Sequence, residues 1–130
     1  MTFAYRFAAL ALAGGLAAPA IASADGKSLF MDNCSACHQA DGKGVKGAFP
    51  ALDGSPLVKG PPQVVITTVL NGRAGMPAFK DDLSDADLSA ILTYVRGAWS
   101  NKAAAVKATD VATARASVQA AATARGLQAH

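Results

Sequence analysis

Apolar residues recur at helical spacing along this chain, and their pattern predicts helices rather than strands. In the first such stretch Gly26, Phe30 and Cys34 fall at i, i+4 and i+8, on one face of a short helix over 26–33. A glycine within a helix costs about 1 kcal/mol relative to alanine. Gly26 therefore indicates either a close crossing by another helix or a frayed helix start of no consequence.

The second stretch, residues 63–70, is rich in β-branched residues, but its apolar positions do not alternate as in a strand. They fall at i, i+1, i+4 and i+5, on one helical face: Val65, Ile66, Val69 and Leu70. The Pro-Pro pair before it suits a helix start, and Asn71-Gly72 after it suits a C-terminal cap. The pattern predicts a helix of about two turns.

The third stretch begins with a strong helix start and carries a long apolar stripe. Ser84 is a good N-cap, and Asp85 and Asp87 complement the positive end of the helix dipole. The stripe follows at i, i+3, i+4, i+7 and i+11: Leu88, Ile91, Leu92, Val95 and Trp99. We expect this helix to run to about Trp99, to form core and to pack on the first helix.

Beyond Asn101 the composition changes to Ala, Thr, Val and Lys. Thr109-Asp110 could cap one more helix running towards Ala120 or Arg125. Its apolar face is thin, with Val111, Ala114 and Val118, so this segment is expected to be a weakly docked helix or a frayed tail.

The first residues have the pattern of an export signal. Arg6 precedes an uncharged run from Phe7 to Ala18, and Ala22-Ser23-Ala24 is a small-x-small cleavage site. An uncleaved anchor is the alternative, but the apolar stretch is shorter than the ~20 residues that span a bilayer. We expect a signal peptide over 1–24, cleavage before Asp25, and a periplasmic protein.

The charge of the chain argues against one class of function. The formal net charge is +3, there is no Glu, and the basic residues form no run. This composition argues against a nucleic-acid binder.

The chemistry centres on Cys34-Ser35-Ala36-Cys37-His38, which contains both cysteines of the chain. Two cysteines separated by two residues and followed by histidine are the signature of c-type haem attachment. Each thiol can add to one vinyl group at the edge of a porphyrin, and His38 can then ligate the iron.

Other uses of the two cysteines fit less well. Across two residues a disulfide closes a small, strained ring typical of redox-active pairs, and the βαβ pattern of a thioredoxin-like protein is absent. A zinc site would need a fourth ligand, and the only other histidine is His130 at the chain end.

Met76 lies in the segment 71–79, a loop rich in Gly and Pro, where a methionine is oddly placed for a core residue. A thioether there can reach the open side of a haem, and His with Met is the axial pair of cytochromes c. Met31, three residues before Cys34, is on the same side as His38. Met76 is therefore the predicted second ligand.

Two loops precede the second helix. Residues 41–47 are rich in turn formers, and the chain returns through Phe49-Pro50-Ala51-Leu52 to a turn at 53–56. A backbone carbonyl there could accept a hydrogen bond from Nδ1 of His38 and raise its basicity. From the residues alone, Pro50 could equally be an ordinary loop proline.

Taken together these pieces resemble the class I, mitochondrial-type bacterial monohaem cytochromes c, and most closely the small haem domains or subunits associated with periplasmic dehydrogenases. The matching segments over 26–101 are Gly26 with Phe30 before C-S-A-C-H, F-P-A-L at 49–52, G-M-P-A-F at 75–79 and L-T-Y-V-R at 92–96. The resemblance implies an all-α fold: a small cytochrome c-like bundle of three to four core helices around one covalently bound haem, plus the weak C-terminal helix or tail.

The resemblance also implies roles and boundaries. Haem c would be attached through Cys34 and Cys37, with His38 and Met76 as iron ligands and the Pro50 carbonyl accepting from His38. Gly26, Phe30 and Tyr94 would form the crossing of the first and last core helices. The domains would be a signal peptide (1–24), a cytochrome c domain (25–101) and an Ala-rich extension (102–130).

The expected function is one-electron transfer by a periplasmic carrier and not catalysis, because protein ligands fill both axial positions. Its partners would be redox proteins, a dehydrogenase and/or a terminal oxidase, with no stable membrane span after cleavage. Two alternatives stay open: a haem c subunit bound to a periplasmic dehydrogenase, and a five-coordinate haem enzyme or gas sensor.

Overall fold

The computed structural model describes residues 25–128, so the predicted signal peptide lies outside the described residues. Apart from two isolated bridges, these residues form no β-structure. They form six helices: α1 Gly26–Asn33, α2 Ser35–His38, α3 Pro56–Lys59, α4 Pro62–Asn71, α5 Asp85–Gly97 and α6 Ala108–Gln128. The predicted all-α class is confirmed.

α1 and α5 cross in close contact. A Cβ atom on Gly26 would lie 2.2 Å from the carbonyl oxygen of Ala90, so only glycine permits this approach. Beyond the crossing the fully buried Phe30 ring packs against Tyr94 and Trp99, each with a centroid distance of 5.5 Å. Gly26 is therefore a site of close helix packing, and the frayed-start alternative is wrong.

α4 confirms the helix predicted over 63–70 and extends it by one residue at each end. Val65, Ile66 and Leu70 are buried in the core, as the helical spacing required. The helix ends at Asn71 and is followed by Gly72, whose φ of 72° lies in the left-handed region that glycine adopts without strain.

α5 begins as predicted, because the Ser84 hydroxyl accepts a hydrogen bond from the amide of Asp87 (3.1 Å). The prediction that it runs to Trp99 is wrong by two residues, since it ends at Gly97. Trp99 has a φ of 55°, so it cannot continue the helix. The turn lets its ring pack against Gly42 while its indole N–H donates to the carbonyl oxygen of Ala40 (3.3 Å).

α6 is a docked helix of 21 residues, which excludes the frayed tail and exceeds the predicted length. Val111, Ala114 and Val118 are buried as it packs against α4 and α5. Asp110 accepts from the amide of Lys107 (3.0 Å), so it caps the helix from inside its first turn, and the helix begins before Thr109. After Val118 the described side chains are exposed.

A short helix, α3, was not predicted, and it is joined to α5 by a buried arginine. The Arg96 side chain is 3% exposed and donates to the carbonyl oxygens of Val58, Gly60 (2.9 Å) and Ala104 (2.8 Å). A single guanidinium thus connects α5, the α3–α4 junction and the chain leading to α6.

Candidate haem site

One turn of backbone places the two cysteines beside the histidine. Cys34 terminates α1, donating its amide to the Phe30 carbonyl (2.9 Å), and its own carbonyl accepts from the amide of His38 (3.0 Å). Cys34 is half-buried against the core and Cys37 is exposed, and both are free thiols. The turn therefore presents two sulfur atoms from the same short segment as the imidazole.

The setting of Cys34 suits a thioether better than a thiol that has to ionise. Burial, with a smaller contribution from Cys37, raises the pKa of the Cys34 thiol to about 11. A thioether has no ionisable proton, so burying the sulfur carries no charge penalty.

His38 is held in one orientation by a backbone carbonyl. Its ring is buried, and Nδ1 lies 2.9 Å from the carbonyl oxygen of Pro50. Because a carbonyl only accepts, we assign the proton to Nδ1, which leaves a lone pair on Nε2. The hydrogen bond that His38 makes within residues 25–128 is at Nδ1 and leaves Nε2 unused. An imidazole in this tautomer, braced at Nδ1, is prepared to ligate a metal through Nε2.

The carbonyl of Pro50 is brought to His38 by a tight loop. Gly44 donates its amide to the His38 carbonyl (2.9 Å), and Leu52 donates to the carbonyl of Gly42 (2.7 Å). Gly44 has a φ of 62°, and a Cβ there would lie 2.3 Å from the carbonyl oxygen of Phe49. The glycines predicted as turn formers thus let the two arms of the loop close on each other.

Asn101 anchors the end of the same loop, a role that the sequence pattern does not predict. Its side chain, 1% exposed, donates to the carbonyls of Leu52 and Val95 (both 3.0 Å) and accepts from the amide of Gly54 (2.9 Å). An asparagine after a helix end resembles any polar surface residue, so only its position two residues beyond a core tryptophan hinted at a buried role.

Met76 lies in a separate loop between α4 and α5. Its amide and carbonyl form a reciprocal pair of backbone hydrogen bonds with Arg73 (2.9 and 3.2 Å). Its side chain is half-buried but is not part of the hydrophobic core. Met31 is 40% exposed on α1. The position of Met76 therefore has no explanation in core packing.

The residues present fit a covalently bound haem. They provide two free thiols, an imidazole nitrogen without a partner and a thioether outside the core. Val45, Phe49 and Val64 leave apolar surface uncovered, at 42–49% exposure, as a large apolar cofactor requires. Within residues 25–128 no group of three His, Cys, Asp or Glu side chains is placed to hold a metal ion.

An open groove of about 400 Å³ borders the His38 acceptor and is lined by Lys43, Lys46, Phe49 and Pro50. It combines apolar surface with two positive charges. The structure thus brings together Cys34, Cys37, His38 and Pro50.

Comparison with known proteins agrees with this chemistry. A family model described as cytochrome c oxidase, cbb3-type, subunit III matches residues 22–95. The cytochrome c subunit of the quinone alcohol dehydrogenase of Gluconobacter oxydans (strain 621H) is 31% identical over 66% of this chain and 21% of its own length. The gluconate 2-dehydrogenase cytochrome c subunit of Pantoea cypripedii is 35% identical over 72% of this chain and 24% of its own length.

The chain thus spans about a quarter of the length of these two dehydrogenase subunits. Cytochrome c6 of Microcystis aeruginosa is 39% identical over 55% of this chain, and that match covers 90% of cytochrome c6. The family match covers more than half of the chain, and one relative is matched over nearly its whole length. The chain therefore belongs to this family of c-type cytochrome domains, whose cofactor is a covalently attached haem c and whose work is electron transfer.

Proposed function

We propose that this chain is a periplasmic one-electron carrier in which Cys34 and Cys37 hold haem c by thioether bonds and His38 and Met76 are the axial iron ligands. The observation that carries the assignment of His38 is the hydrogen bond between its Nδ1 and the Pro50 carbonyl (2.9 Å). It selects the tautomer whose Nε2 is open to a metal.

The chain's own residues set the properties of the site. When bound, the haem supplies the Fe(II)/Fe(III) couple. Pro50 fixes the His38 ring and raises its basicity, while the Met76 thioether raises the reduction potential relative to a nitrogen ligand. With His38 and Met76 both holding the iron, no ligand position would be left for a substrate, so we propose a carrier and not an enzyme.

The partners we propose are redox proteins, a dehydrogenase and/or a terminal oxidase. Support comes from the names of the relatives, which include quinone dehydrogenase subunits and a cbb3-type oxidase subunit. The predicted signal peptide over 1–24 supports export. In the described part of the chain no helix is long and apolar enough to cross a bilayer.

A spectrum of purified holoprotein with a Met76→Leu variant tests the ligand assignment. We expect the parent to show the long-wavelength absorption band that marks methionine ligation of ferric haem c, and Met76→Leu to lose it. Met31→Leu is the matched control, because Met31 is also partly exposed, and it should keep the band. A Met76→Leu spectrum identical to the parent's would refute the assignment, and a parent without the band would favour the five-coordinate alternative.

The dehydrogenase-subunit alternative has its own test. Affinity purification of the native chain from the periplasm should yield a single polypeptide if it is a free carrier. A stoichiometric larger subunit that persists at high salt would instead make it a subunit of that complex.

A further inference from the structure

The segment that carries Met76 is weakly held by the core of the fold. We define the Met loop as residues 72–84, between α4 and α5. Most of its side chains are exposed, and only Leu83 is buried while Phe79 packs partly against the core. One backbone hydrogen bond, from the amide of Phe79 to the carbonyl of Val69 (3.1 Å), connects it to α4.

The end of this loop is fastened by a residue of α6. Arg115 donates from Nη1 to the carbonyl of Lys80, from Nη2 to the carbonyl of Leu83 (2.8 Å) and from Nε to Oδ1 of Asp85 (2.7 Å). Among residues 25–128, Arg115 is the only residue outside the Met loop whose side chain donates hydrogen bonds to the loop's backbone. Its side chain is only 17% exposed.

The geometry of Arg115 suits a clamp. A guanidinium is planar and offers its donors in a fixed fork, so two contacts to loop carbonyls and one to the Asp85 carboxylate at the start of α5 hold this stretch of backbone in one conformation. Ala114 and Val118, on either side of it in α6, are buried against the rest of the fold. The clamp is therefore mounted on a docked part of α6 and not on the exposed turns after Val118.

We infer that Arg115 is a positioning residue for the sixth iron ligand: the C-terminal helix clamps the Met loop and thereby keeps Met76 on the haem. This gives the Ala-rich extension a role in electron transfer. The inference rests on the proposed ligation by Met76. Without the clamp, residues 80–83 open more often, and the loop releases Met76 at a cost below that of global unfolding.

Imidazole binding to the ferric holoprotein measures that release, since imidazole reaches the iron only after Met76 has left. We expect Arg115→Met, which keeps the apolar stem, to speed imidazole binding by about tenfold, as expected for the loss of charge-assisted hydrogen bonds. Arg125→Met is the matched control, because Arg125 lies on the same helix but is exposed. It should bind imidazole at the parent rate.

Hydrogen exchange separates a clamp from a general loss of stability. In Arg115→Met the amides of Phe79 and Leu83 should exchange faster, while the amides of α1 and the first half of α5 stay protected. Uniformly faster exchange would mean a purely structural role and overturn the inference. If Arg115→Met does not yield holoprotein, Arg115→Lys replaces it, because lysine keeps the charge but loses the fork. We expect Arg115→Lys to speed imidazole binding by an intermediate factor.

The imidazole experiment distinguishes a wrong ligand assignment from a wrong clamp. If the parent binds imidazole as fast as Met76→Leu, Met76 is not the ligand and the proposed function is wrong at that residue. If Met76→Leu is fast and the parent slow, but Arg115→Met matches the parent, the ligand assignment stands and the clamp is refuted.

Discussion

The two segments that carry the proposed iron ligands are built in different ways. The proximal segment, residues 34–53, is tied into the fold at many points: backbone bonds between its own arms, the His38–Pro50 contact and the buried Asn101. Both segments are largely exposed, but the Met loop has fewer anchors, chiefly Phe79, Leu83 and the Arg115 fork.

This difference assigns different tasks to the two sides. The proximal segment is part of the framework, so disturbing it should disturb the whole fold. The Met loop is a local unit whose opening costs less than global unfolding. If the proposed ligands are correct, a carrier built in this way would keep its haem attached and its histidine fixed, while the Met76 thioether would be the ligand that can exchange.

The largest effect is expected at Gly44, where the two arms of the proximal segment meet. Gly44→Ala places a Cβ 2.3 Å from a backbone oxygen at a φ of 62°, so the loop has to open. We expect a loss of about 3 kcal/mol or more in the free energy of unfolding. Denaturant titration of the holoprotein measures it.

Gly47→Ala is the control, since Gly47 shares the left-handed φ (83°) but has open space around it. It should cost about 1 kcal/mol, the backbone term alone. Equal losses in the two variants would show that the close approach at Gly44 contributes nothing to stability.

Next in size is Asn101→Ala, which removes the tie between the proximal segment and α5. It leaves the carbonyls of Leu52 and Val95 and the amide of Gly54 without their partner. We expect a loss of about 2–4 kcal/mol and, because the loop that carries the Pro50 carbonyl is held less firmly against His38, a changed reduction potential. Asn71→Ala, at an exposed asparagine, should leave both unchanged. If the variant is destabilised but keeps the parent's reduction potential, Asn101 does not act on the hydrogen bond between His38 and Pro50.

The contrast between the two sides also explains how far the sequence could be interpreted. Periodicity predicted α1, α4 and α5, and the Cys-x-x-Cys-His spacing predicted the proximal chemistry, because each depends on residues close in the chain. A docked α6 was one of two alternatives left open, but its attachment through Arg115 was not predicted, because the partners of that side chain lie about 30 residues away. No local pattern reports such a contact.

The same reasoning applies to the ends of elements. Trp99 continues the apolar stripe of α5, yet the chain turns at a φ of 55° so that its ring covers Gly42. Asn101 has the composition of a surface turn and the burial of a core residue. Both depend on the proximal segment, which is distant in sequence and sets where α5 has to stop.

A smaller and more local effect is expected at Gly72, where the Met loop begins. Gly72→Ala places a Cβ 2.6 Å from the Met76 carbonyl oxygen at a φ of 72°. We expect imidazole binding to ferric iron to accelerate by about tenfold, with a smaller loss of global stability than in Gly44→Ala. Gly75→Ala is the control, because nothing lies within 4 Å of its Cβ position. If Gly72→Ala lowers the free energy of unfolding as much as Gly44→Ala does, the Met loop is part of the framework of the fold and not a local unit.

The smallest effect concerns the carboxylate at the end of the proximal segment. Hydrogen bonds from the Ser100 hydroxyl and amide hold the pKa of Asp53 below its ordinary value. A lowered folded pKa contributes stability above the unfolded pKa of about 3.9, and that contribution is lost as pH falls through the folded value. Asp53→Asn should therefore be less stable than the parent at neutral pH, with the gap closing below about pH 4, when unfolding is followed across pH. A gap for Asp53→Asn that widens in acid would reverse the assigned sign.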